Sequence, residues 1–199
     1  MMWGGRTSGH PMVRHDDDMT ESGLQWWERI HNWLRDNAPR TFDQITAAPD
    51  ADGFWHLAGA GNLIPTAYTP LSSENSNRER IRKTTRFQVE AEPAGTTSGI
   101  FLGEFVPVAA DGMGDYVFVD ERQGRASGCI REWDVDEGSR LPTLWPSLDS
   151  MLTDIARSLE TGEPVLQEHA KAARAKFFKV SVYVPEVRDG MLSWQPVRA

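Results

Sequence analysis

The sequence predicts an α+β fold: an antiparallel β-sheet of about five to six strands, an N-terminal helix, a second helix in the C-terminal half, and a terminal β-hairpin. Three observations predict it. Residues 22–38 and 145–162 carry apolar residues at helical spacing between start and stop signals. Between about 99 and 137, short β-branched and aromatic runs follow one another with only short connections, as in an antiparallel meander. The chain then closes on two strand-like runs separated by Asp189-Gly190, a turn dipeptide.

Taken in order, residues 1–20 are polar, glycine-rich and aperiodic, and are expected to form a disordered leader, including His10 and His15. Residues 21–199 are expected to form one domain, with a core over 100–162 and a C-terminal extension over 163–199. The first helix follows from "SGLQWWERIHNWLRDNAP". Ser22 and Gln25 have capping-box spacing, Leu24, Trp27, Ile30 and Leu34 form the stripe, and Asn37 and Pro39 stop it. His31 flanks that stripe. Two turn clusters surround the short apolar piece Phe54 to Leu57. Ser72 or Ser73 is placed to cap a short helix over "ENSNRERIRK". Arg78, Arg80, Arg82, Lys83 and Arg86 would then give that helix a solvated basic face.

Strands are expected in "GIFLGEFVPVA", "DYVFVDE" and "GCIREWDVDE". The last alternates Cys129, Arg131, Trp133 and Val135 against Ile130, Glu132, Asp134 and Asp136. In "WPSLDSMLTDIARSLETG", Ser147 is the cap, Leu148, Met151, Leu152, Ile155 and Leu159 are the stripe, and Gly162 is the stop. The tail reads as a helical stretch, "VLQEHAKAARAK", and then the hairpin.

Composition narrows the function. A net charge of −8 opposes nucleic-acid binding, which needs a basic face, and suits a basic partner. No apolar run reaches the roughly 20 residues of a membrane helix, and the acidic N-terminus is unlike a secretory signal, so the expected compartment is the cytoplasm. A single cysteine, Cys129, excludes an internal disulfide and a cysteine-cluster zinc site.

The most legible stretch is "AADGMGDYVFVDERQG", residues 109–124. As a calcium loop numbered from Asp111 it fails, because the third position is Met113 and the twelfth is Arg122. As a phosphate cradle it fails because Gly112 and Gly114 lead into a strand and not into a helix N-terminus. A turn fits: Asp-Gly and Gly114 tolerate positive φ, and Asp115 can accept backbone N–H groups across the turn. Neither HExxH nor GxSxG occurs, and His56 and His169 lie in unrelated contexts. Asp134 and Asp136 share a strand face, where acid/base work and a solvated edge look alike. No catalytic, cofactor or metal residues are assigned. An enzyme centred on Asp111, Asp115, Asp134 and Asp136 stays open as an alternative.

Residues 105–162 resemble the C-terminal half of the SUKH superfamily, which groups bacterial immunity proteins with a fungal regulator of cell-wall assembly. The resemblance is carried by Phe105, Pro107, the turn Asp111, Gly112, Gly114 and Asp115, then Asp120, Gly128 and Leu152. "WWERIHNWL", "NLIPTAYTPLSSEN" and "GMLSWQPV" resemble flanking segments of longer members. The chain departs from the family at 40–62, where "DADGFWHLAGAGN" replaces longer helical segments. The resemblance implies an α+β protein-binding module without catalytic activity. Its partner would be a cognate secreted toxin domain, a basic one suiting the acidic chain. A scaffold of cell-wall synthesis is the alternative. The strand "REWDVDE" is the expected contact element, with Trp133 as aromatic anchor and Glu132, Asp134, Asp136 and Glu137 as charged neighbours.

Overall fold

The computed structural model describes residues 21–46, 53–84, 92–140, 142–174 and 181–197. The expected leader, with His10 and His15, and the basic residue Arg86 lie outside the described residues. Five strands run as an antiparallel meander in the order β1 (Thr69–Pro70), β2 (Phe105–Ala110), β3 (Tyr116–Asp120), β4 (Cys129–Asp134) and β5 (Gly138–Ser139). Both edge strands are two residues long, which leaves little unpaired ladder to recruit another chain. A separate two-stranded hairpin pairs β6 (Val182–Arg188) with β7 (Met191–Val197). The α+β class, the meander, the two flanking helices and the terminal hairpin are therefore as the sequence predicts.

The strand expected from residue 99 begins later. Residues 101–104 turn back on themselves, with Phe105 N–H donating to Leu102 O at 3.1 Å, and Phe101 and Leu102 fold under the sheet. Pro107 does not end the strand. The register with β3 slips between Pro107 and Ala109, a bulge that tolerates the missing N–H, and Val108 O instead accepts Leu71 N–H at 2.9 Å.

Strand alternation sends side chains to two different cores. On one face, Val117 and Ile130 meet α1 (Glu21–Asn37) and α4 (Leu148–Thr161) through Ile30, Leu34, Met151 and Ile155. Helix α4 is capped as predicted: Ser147 Oγ accepts Ser150 N–H at 3.1 Å, and Gly162 closes it at φ 73°. Helix α1 differs at its start, since the helix already contains Ser22. The stop at Asn37 holds, although Pro39 opens a further short helix, α2 (Pro39–Phe42), where its fixed φ suits the first turn.

The hairpin belongs to the same core. Leu192 and Trp194 join its cluster, Leu192 N–H donates to Thr41 Oγ1 at 2.9 Å, and the Trp194 indole N–H reaches Asn62 O at 2.8 Å. Its turn has Asp189 at φ 50° and Gly190 at φ 75°, the left-handed pair that matches strand twist.

On the opposite face, Phe101, Leu102, Phe105, Tyr116, Phe118 and Trp133 form a second cluster, flanked by α3 (Ser73–Lys83). Ser72 caps α3 through Asn75 N–H at 3.2 Å. Beside this cluster lies a buried ionic knot. Asp120 accepts from Arg122 at 2.7 and 2.8 Å, from Arg131 at 3.2 Å and from Gly95 N–H at 3.0 Å. The guanidiniums also donate to carbonyls: Arg122 to Glu92 and Thr96, Arg131 to Thr96 and Arg140. Burial alone would push the Asp120 carboxyl up. The Arg122 and Arg131 guanidiniums and the Gly95 N–H outweigh it and hold the group below the ordinary carboxylate range. Among the described residues, no helix is long and apolar enough to cross a membrane.

Candidate protein-binding face

Two turns meet at one end of the sheet. In the β2–β3 turn, one oxygen of Asp111 accepts three backbone N–H groups, from Met113 at 2.7 Å and from Gly114 and Asp115 at 3.1 Å each. Gly112 and Gly114 take φ values of 83° and 121°, which side chains rarely adopt. In the β4–β5 turn, Asp134 Oδ1 accepts Asp136 and Glu137 N–H at 2.8 Å each, and the Arg140 guanidinium binds its other oxygen. The Glu137 and Asp136 N–H groups, helped by Arg140, hold the Asp134 carboxyl below its usual range. The turns are tied together, because Asp115 Oδ1 accepts Val135 N–H at 2.9 Å.

This wiring decides what the end of the sheet can do. Asp111, Asp115 and Asp134 have spent oxygens on backbone donors, which fixes two glycine-containing turns in one conformation. Apolar side chains then stand outside the polar frame: Met113 is 84% exposed and Val135 is 50% exposed. The ideal Cβ direction at Gly114 points to Val135, 3.4 Å away, so the two turns are in contact. Asp136 and Glu137 are exposed beside them. Behind the tip, a groove of about 440 Å³ separates it from α3, with Glu79, Arg82, Lys83 and Tyr116 on its walls. The Tyr116 hydroxyl donates to Glu79 at 2.6 Å and accepts from Arg82 at 3.0 Å. Burial and Glu79 push it up to about 12, so it stays a proton donor across the physiological range.

The five expected contact residues separate. Asp136 and Glu137 are exposed at the tip. Glu132 is half-buried and accepts the Tyr68 hydroxyl at 2.7 Å, and Asp134 is buried in its turn. Trp133 is 6% exposed and packs edge-on against Phe101 at 5.1 Å, so its position is inside the aromatic cluster and not at the surface. The physical reason is the pleat: Trp133 shares a face with Arg131, and that face is roofed by residues 92–104. Met113 and Val135 were not singled out from the sequence. A signal for Met113 existed, since a large apolar residue between two turn glycines has no core to enter.

His31 and His56 both pack on Trp27, and His169 sits on a different element. His56 stacks on Trp27 at 4.8 Å, while His169 belongs to α5 (Gln167–Arg174) and lines a cavity beside α4. Burial, with Arg35 and His56 nearby, pushes the His31 imidazole down. Burial raises the Cys129 thiol, leaving it a poor nucleophile. Among the described residues, no group of three His, Cys, Asp or Glu side chains is placed to hold a metal ion. Comparison of the chain with protein-family models, curated proteins and solved structures finds no match.

Proposed function

We propose that this chain is a non-enzymatic, SUKH-like protein-binding module of the cytoplasm, and that it acts as an immunity protein by binding a cognate basic toxin. The observation that carries the reading is the tip: Met113 and Val135 are exposed on two adjoining turns held by their own aspartates, next to Asp136 and Glu137. An apolar pair carried on pinned turns loses little backbone entropy on docking and offers the small desolvated centre on which binding energy concentrates. The acidic neighbours and the net charge of −8 favour encounter with a basic partner and disfavour acidic ones. The same wiring gives Asp111, Asp115 and Asp134 a structural role, since one oxygen of each accepts backbone N–H groups.

The test is co-expression with the product of a neighbouring toxin-like gene. Growth is restored and the two proteins co-purify if the reading holds. A toxin that kills regardless, with no complex formed, overturns the immunity role.

A further inference from the structure

A cleft of about 730 Å³ lies far from the tip in the fold, between α4, α5 and the segment 143–146. Ligand pockets commonly span about 300–1,000 Å³. Helix α4 is two-sided. Met151, Leu152, Ile155 and Leu159 enter the core, whereas Asp149, Ser150, Thr153, Asp154 and Arg157, at the same helical repeat, line the cavity. Leu144, Trp145 and Leu166 supply apolar wall.

Several polar groups there are already committed. Asp154 accepts the Trp145 indole N–H at 3.0 Å and Leu166 N–H at 2.8 Å, and pairs with Arg157 at 2.6 Å. Arg157 also donates to Glu163 and to Pro164 O. These contacts make the frame, and they engage both Nη atoms of Arg157, the one arginine or lysine among the lining residues.

Two further side chains offer acceptors. The Asp149 carboxylate has no partner among the described residues. His169 is 8% exposed, and its Nδ1 lies 2.7 Å from Thr143 O. A carbonyl can only accept, so Nδ1 carries the proton, and in the neutral ring Nε2 is an acceptor with no partner among the described residues. The ring lines the cavity. The hydroxyl of Thr153 can complete the set.

We infer that this cavity is a binding site for a small organic cation, an amine with an apolar body, whose ammonium is received by Asp149 and His169 and whose body lies against Trp145 and Leu166. The site is independent of the tip and of the proposed partner. Phenethylamine is the probe, and 3-phenylpropionate, of similar shape and opposite charge, is the control, both titrated into the full chain by calorimetry and by NMR of the Trp145 indole. The amine is expected to bind at least about tenfold more tightly than the acid, and Asp149→Asn to reduce amine affinity by about tenfold, the worth of one charge-assisted hydrogen bond. Because Asp149 is exposed and unpaired, that variant should fold, which its circular dichroism verifies. His169→Phe, which keeps the bulk and removes the acceptor, should also weaken the amine. Equal binding of amine and acid, no binding at millimolar probe, or unchanged amine affinity in folded Asp149→Asn overturns the inference.

Discussion

The two faces of the five-stranded sheet are sealed by different physics. One is covered by helices α1 and α4 and the hairpin, and its interior is almost wholly aliphatic and aromatic. The other is covered by a loop, residues 92–104, which has no helical stripe to bury. That loop is held by an aromatic cluster and by two buried arginines clamped on Asp120 and on loop carbonyls. Burial of apolar area is non-directional, so the helical face needs only shape. The loop face needs named donors and acceptors in place, because an unpaired charge there has no water to fall back on.

The sharpest way to break that contrast is Asp120→Ala. It leaves Arg122 and Arg131 buried without their carboxylate and should cost about 3–5 kcal/mol, read by urea unfolding. Ile155→Ala on the helical face should cost about 2–5 kcal/mol by cavity formation alone. The pH dependence should separate the two. Asp120 has a folded pKa below its unfolded value of about 3.9. Its contribution is therefore fully present above about pH 4 and is lost as pH falls through the folded value. The stability gap between the wild type and Asp120→Asn should narrow in acid, whereas the gap to Ile155→Ala should stay level. Smaller still, Ser147→Ala should cost about 1 kcal/mol by removing the cap of α4, with no dependence on pH.

The same contrast explains what was legible in the sequence. Helix α4 was readable at every level, because cap, stripe and stop are all local. So was the hairpin, through Asp189-Gly190. Arg122 and Arg131 were not readable as core. Arginines in or beside a strand look solvated, and their partners are carbonyls of residues 92, 96 and 140, set by tertiary structure alone. The run 99–104 was misleading for a related reason. Its apolar content serves the aromatic cluster from a loop, which no strand periodicity encodes. Trp133 follows from both, since the roof that buries it is that loop. At the tip, the glycine-aspartate turn was legible, but the acceptor expected at Asp115 is Asp111, and the oxygen of Asp115 instead ties to Val135, in a turn 20 residues away that only the three-dimensional fold brings near.

The central claim is that the tip is the binding face. The most direct measurement is the affinity of the proposed cognate toxin for the wild-type chain and for Met113→Asp, with Asp136→Lys/Glu137→Lys alongside. Surface changes of this kind should leave stability within about 0.5 kcal/mol. The account predicts that Met113→Asp weakens binding by at least about tenfold, and that charge reversal mainly slows association and removes its salt dependence. A toxin that binds both variants with wild-type affinity contacts some other surface, and the tip then has no part in recognition.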